Sequence, residues 1–190
     1  LVGGLSTLSL LFWLWLTMRR STGIVRPQPQ ATATATLDGA RRLGVVALCA
    51  LAMQIILGGW TSSNYAAVSC PDFPTCQAQW WPDGMDYDDA FVLWRGLDIN
   101  YTGGVLEHPA RVAIHFTHRL GAIVASLALI WLAVVAIRRA PTTLVKHGGY
   151  WVIAALGLQL LIGILMVVKA FPLPLATGHN AGAAVLLLAT

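Results

Sequence analysis

Apolar residues in this chain gather into long unbroken runs, without the alternating stripes of a soluble fold. Four runs are long enough, or nearly so, to cross a hydrocarbon core: residues 1–18, 43–60, about 113–137 and 150–168. A fifth opens near His179 and reaches only Thr190, well short of the roughly 20 residues a helical span needs. The pattern predicts an all-α, polytopic membrane protein of antiparallel transmembrane helices. Both ends look cut: there is no initiator Met, no targeting signal at Leu1 and no polar tail, so the expectation is a piece of a longer protein.

Composition agrees with the runs. Hydrophobic residues make up 57% of the chain and charged ones 11%, with a mean hydropathy of +0.69. A soluble domain carries about 25% charged residues, so lipid serves as solvent for much of this surface.

The net charge of +4 has a direction. Arg19, Arg20, Arg26, Arg41 and Arg42 face a single Asp38 in the first connection, and Arg138, Arg139 and Lys146 mark the turn after the third run. The long loop between the second and third runs holds Asp72, Asp83, Asp86, Asp88, Asp89, Asp98 and Glu107 against Arg95 and Arg111. Basic connections inside and an acidic loop outside is the positive-inside pattern. The basic excess therefore reports topology, and no nucleic-acid partner is expected. Pro27, Pro29 and the Ala-Thr repeat at 31–36 read as a flexible cytoplasmic linker separating the first run from the rest.

The outer loop is far longer than an ordinary connection, which argues for a structured excursion. Trp80, Trp81, Tyr87 and Trp94 suit an interfacial belt on the headgroups. Cys70 and Cys76 stand in this loop, where an oxidising compartment permits a bridge worth roughly 2 kcal/mol. Cys49 lies mid-span and reads as a small packing residue.

An internal repeat carries the chemistry. The second run contains Gln54-Ile-Ile-Leu-Gly58 and the fourth Gln159-Leu-Leu-Ile-Gly163. The third contains His118-Arg-Leu-Gly-Ala122 and the fifth His179-Asn-Ala-Gly-Ala183. Two helical pairs of one pattern predict a pseudo-two-fold four-helix bundle. His118 precedes Arg138 by 20 residues, about 30 Å of helix, so it sits near the outer end of its span. His179 opens a span that starts at the same face. A lone interfacial histidine is commonly a polar anchor, but two at matched depth on facing helices are what bis-imidazole heme ligation requires.

Gly121 and Gly182 leave room for a flat macrocycle, or else serve close helix packing. His115, one turn from His118, reads as a supporting donor, a propionate partner or an alternative ligand. Arg119 and Arg111 suit heme propionates or lipid headgroups, Lys169 snorkels, and His108 and His147 fall in solvated loops. Gln54 and Gln159 are polar inside apolar spans and need partners, either across the two halves or on the cofactor.

Together, Gly58-Gly-Trp-Thr-Ser-Ser-Asn64, Cys70-Pro-Asp-Phe-Pro-Thr-Cys76, Trp80-Trp-Pro82 and Ile114-His-Phe-Thr-His-Arg-Leu-Gly121 resemble the heme A synthase family, in its proteobacterial form related to the mitochondrial enzyme. The resemblance covers essentially the whole chain. It implies eight helices in two similar four-helix bundles, an N-terminal one for the substrate heme and a C-terminal one for heme b. The activity it implies is oxidation of the C8 methyl of heme o to the formyl of heme a for terminal oxidases.

On that basis residues 1–18 are the last helix of an N-terminal bundle, 19–42 the linker, and 43–190 the C-terminal heme-binding bundle with its outer loop at 61–112. His118 and His179 match the heme b ligands, and Cys70 and Cys76 the C-terminal extracytoplasmic cysteine pair. The expected location is the bacterial inner membrane, with the cysteine loop periplasmic. Expected partners are heme o and heme a, membrane lipid, a heme O synthase and oxidase assembly factors; a homo-oligomer is left open. One departure matters. The family's catalytic half carries a Glu three residues before its first His, where this chain has His115, so the oxidising site is expected to lie outside it. Gly3 would complete a further His-x-x-Gly if a His stood immediately before Leu1.

Three other readings share these residues. A b-type cytochrome that only transfers electrons would use the same histidines without needing the cysteine pair. A quinone-linked disulfide oxidase would use Cys70 and Cys76 but ordinarily needs a second reactive pair. A structural membrane subunit would use the histidines as anchors.

Overall fold

The computed structural model describes residues 2–21, 34–97, 99–139 and 142–190. Among these, six α-helices follow one another: α1 (Val2–Ser21), α2 (Thr34–Ser63), α3 (Tyr87–Ala90), α4 (His108–Arg139), α5 (Thr143–Val168) and α6 (Leu173–Ala189). No strand occurs among the described residues. The stretches 41–63 of α2, α4 and α5 are long and apolar enough to cross a membrane; α6 is apolar but shorter. The chain is a helical membrane protein, as the hydropathy predicts.

The helices run further than the apolar runs because their ends are built from polar and proline residues. Pro109 stands in the first turn of α4 and Pro174 in that of α6, where a missing N–H costs nothing. Thr142 caps α5 by accepting from the Val145 N–H at 3.3 Å. Arg138 and Arg139 close α4 at its negative dipole end. Residues 34–42 are already helical, so only part of the expected linker separates α1 from α2; residues 22–33 lie outside the described residues.

Helices α2, α4, α5 and α6 pack in that order, with α2 also touching α6, and α1 lies against α6. Ala47 and Leu51 from α2, Leu129 and Ala133 from α4, Val152 and Leu156 from α5, and Leu186 from α6 form one buried core. A second core joins α4 to the outer loop through Ala66, Ala90, Leu106, Ala110, Ala113 and Ile114. Between the two, none of residues 117–124 of α4 is buried. The inward-facing stripe is thus tight at one end, tight again under the loop, and half-open at the level of His118.

The outer loop is ordered by its own bonds. Asp86 caps α3 by accepting from the Asp89 N–H at 3.0 Å, Arg95 pairs with Asp89 at 2.6 Å, and Trp60 Nε1 donates to Ala90 O at 3.0 Å. Trp80, Trp81 and Trp94 are exposed, as a headgroup belt requires. Cys49 corrects the reading of its residue: it is exposed on α2 and is not packed against the described helices. His108 and His147, expected in loops, lie in helices, His108 as the first residue of α4 and His147 near the start of α5; both are exposed.

Candidate functional site

Two copies of one four-residue arrangement occur in the bundle, the first at the half-open stretch of α4. In the first, Gln54 of α2 reaches α4: its Nε2 donates to the His118 carbonyl at 3.0 Å and lies 3.1 Å from His118 Nδ1. In the second, Gln159 of α5 reaches α6: its Nε2 donates to the His179 carbonyl at 3.0 Å and lies 3.3 Å from His179 Nε2. Each glutamine therefore bonds within its own helix pair, and not across the two halves, which was one of the two alternatives the sequence left open.

The glycines explain how the pairs close. A Cβ on Gly58 would stand 3.2 Å from His118 Cε1, and one on Gly163 would stand 3.0 Å from His179 Cε1. A Cβ on Gly121 or Gly182 would fall onto the Oε1 of Gln54 or Gln159. Each imidazole thus lies over the glycine of the partner helix, and each amide over the glycine that follows its histidine by three. The room left by Gly121 and Gly182 is taken by the glutamines. His118 and His179 are both half-buried.

These side chains bear on the chemistry of the site. Gln54 Oε1 and Gln159 Oε1 are buried without a hydrogen-bond partner among the described residues, an uncommon arrangement for buried polar atoms. Among the described residues no group of three or more His, Cys, Asp or Glu could hold a bare metal ion. Two imidazoles suit a metal that brings its own equatorial ligands, as a porphyrin iron does.

A second layer sits one turn nearer the outer face. Cys70 and Cys76 are joined by a disulfide, with Cα atoms 4.7 Å apart, and both are buried against Val112 and Phe116 of α4. Arg119 holds this loop: its Nη1 donates to Thr75 O at 2.7 Å, and its Nη2 to Cys70 O at 2.8 Å and Asp72 O at 2.9 Å. Its Nε donates to His115 Nε2 at 3.4 Å. The structure therefore brings Arg119 to the disulfide loop. Arg111 likewise turns to loop carbonyls, with Nε donating to Leu106 O at 2.8 Å.

His115 is 4% exposed. Its ring meets Phe171 edge-on, with centroids 6.2 Å apart. Phe171 is a contact the sequence reading missed. It follows the C-terminus of α5, where Phe171 N donates to Met166 O at 2.7 Å and Ala170 N to Val167 O at 3.0 Å. Such a helix stop usually employs glycine; here Ala170 and Phe171 adopt φ of 55° and 59°. Two non-glycine residues in the left-handed region cost of order 1 kcal/mol each, and they aim the ring at His115. No sequence signal marks this, because the strain exists only once α6 has turned back.

The family model of cytochrome oxidase assembly proteins, COX15-CtaA, matches residues 1–190. The chain belongs to this family. A heme A synthase of Shewanella oneidensis is 39% identical over 188 residues, covering 99% of this chain and 54% of that protein. A heme A synthase of Paracoccus denitrificans is 29% identical over 183 residues, 94% of this chain and 42% of its own. One of Caulobacter vibrioides is 34% identical over 143 residues, 74% of this chain and 37% of its own. The chain spans about half the length, or less, of these curated relatives. No solved structure matches it.

Proposed function

We propose that residues 43–190 are the heme b-binding half of a heme A synthase, with His118 and His179 as the axial ligands. Residues 1–18 are then the last helix of a preceding bundle and 19–42 the cytoplasmic connection. The whole protein oxidises the C8 methyl of heme o to the formyl of heme a for terminal oxidase assembly. It lies in the bacterial inner membrane with the Cys70–Cys76 loop on the periplasmic side. The observation that carries this reading is the doubled unit, in which each imidazole lies against the glycine and the glutamine of its partner helix.

The residues fit the group. Two imidazoles are available, the surrounding stripe is apolar, and buried polar atoms stand unpartnered beside them. When bound, a bis-histidine heme b supplies one-electron transfer and has no free position for oxygen. This chain's own contribution is to hold the two rings. Gly58 and Gly163 give them room, Gln54 and Gln159 fix their helices, and the Arg119-anchored loop covers the level from outside. The disulfide braces that loop. Oxidation of heme o is assigned to the other half, because position 115 is His and the chain's sole Glu is Glu107, an exposed residue of the outer loop.

The test is conversion of heme o by the full-length protein in membranes, with hemes extracted and separated. Formyl product that disappears in His118→Met and His179→Met supports the reading. Low-spin heme with no heme a formed would make the protein an electron-transferring b-type cytochrome.

A further inference from the structure

We infer that Lys169 is the cationic partner of a heme propionate, which makes the turn between α5 and α6 part of the heme site. This rests on the proposal that His118 and His179 bind iron.

A heme carries two carboxylates on one edge, and a carboxylate in hydrocarbon is costly unless water or a cation meets it. That edge therefore belongs at the nearer end of the bundle. His118 stands ten residues into α4, about 15 Å of helix from His108, whereas Arg138 lies about 30 Å away at the other end. His179 stands six residues into α6, about 9 Å of helix from Leu173. The outer end is the near one.

Four described residues at that end are Arg or Lys: Arg95, Arg111, Arg119 and Lys169. The structure spends three of them. Arg95 pairs with Asp89 at 2.6 Å. Arg111 donates to Leu106 O at 2.8 Å and to Gly103 O at 3.5 Å. Arg119 donates to Thr75 O, Cys70 O and Asp72 O, and its Nε turns to His115. Both arginines that the sequence offered to the propionates are thus committed to the outer loop. Lys169 is exposed, and its ammonium group makes no hydrogen bond or ion pair among the described residues.

The turn that carries Lys169 is tied to both histidine units. Its N–H closes α5 by donating to Leu165 O at 2.9 Å. Lys169 stands six residues beyond Gly163, against which His179 packs, so about 9 Å further along the helix. Two residues on, the Phe171 ring meets His115, one turn outward of His118. The left-handed Ala170 and Phe171 then turn the chain back into α6, which bears His179. A lysine suits this place, because its apolar stem lies along the bundle while its head reaches an anion.

A positive charge beside a propionate favours the reduced heme, since reduction adds an electron to the iron. The experiment is a redox titration of the full-length protein in detergent, followed by its low-spin b-type bands, with reduced-minus-oxidised infrared spectra of the propionate carboxylates. The variants are Lys169→Met, Lys169→Arg and, at the opposite end of α5, Lys146→Met. Lys169→Met is expected to shift the oxidised-to-reduced ratio roughly threefold toward oxidised, about 30 mV for one electron, and to move the carboxylate bands. Lys169→Arg keeps both near wild type, and Lys146→Met leaves both unchanged. If Lys169→Met loses its heme, heme kept by Lys169→Arg supports the inference, and heme lost by both overturns it. An unchanged potential in Lys169→Met, an equal shift in Lys146→Met, or a shift without movement of the carboxylate bands also overturns it while leaving the ligands standing. Wild-type protein without the low-spin bands would remove the ligand assignment itself.

Discussion

Arg119 Nη2 donates to the backbone carbonyl of Cys70 at 2.8 Å, tying the disulfide loop to the residue that follows His118 in sequence. The same guanidinium holds Thr75 O and Asp72 O, and its Nε reaches His115. One side chain therefore fastens the outer loop onto the histidine-bearing helix. A planar fork with five donors can do this; a lysine cannot.

Replacing Arg119 by Ala or Lys is expected to loosen this loop. Charge-assisted bonds of this kind contribute about 1.5–3 kcal/mol each but are not additive, so about 2 kcal/mol of local stability is expected to go. That corresponds to roughly thirtyfold faster amide exchange at residues 70–78. Exchange unchanged in both variants would show that the disulfide alone holds the loop.

The glycine cradle makes a prediction with an internal control. Gly121→Ala places a methyl on Gln54 Oε1 and 3.0 Å from Leu57 Cδ1, and Gly182→Ala places one on Gln159 Oε1. Overpacking of this kind costs about 1–3 kcal/mol. Gly157, on α5, has nothing within 4 Å of its Cβ position, so Gly157→Ala is expected to be neutral or stabilising by up to about 1 kcal/mol. Thermal unfolding in detergent separates them: equal effects at Gly121 and Gly157 would contradict the packing described.

Asp72 predicts a pH dependence for the loop. Partial burial pushes its carboxyl up, but hydrogen bonds from the Thr75 hydroxyl and the Ala78 N–H outweigh this and leave it below the ordinary value of 3.8. A depressed folded-state value stabilises the loop above the unfolded pKa, and that contribution is lost as pH falls through the folded value. Loop protection is therefore expected to hold through neutral pH and to fall below about pH 3.8. The substitution Asp72→Asn is expected to remove that dependence. An exchange titration in which this variant and the wild type give the same pH profile would sink this account.

The sequence made the architecture legible because lipid burial needs only length and apolarity, and residues 43–60, 113–137 and 150–168 supply both. The Gln-Gly and His-Gly repeat was legible for a different reason: two helix pairs that solve the same packing problem use the same residues. What was hidden is non-local. Arg119 looked like a rim charge because its acceptors are backbone carbonyls over forty residues away, which no side-chain pattern announces. Gln54 and Gln159 were expected to find partners, but that each would stay in its own pair followed only from where Gly121 and Gly182 let them lie. Cys49 reads as a packing residue from its place mid-span, but position along a span does not say which face of the helix a residue occupies, and Cys49 is exposed.

The central claim, that His118 and His179 hold a heme between them, is tested most directly by a reduced-minus-oxidised spectrum of the purified full-length protein. Wild type is compared with His118→Met and His179→Met. The account predicts sharp low-spin b-type bands that are lost or shifted in both variants. Well-folded wild type without heme, or spectra indifferent to both substitutions, would contradict it.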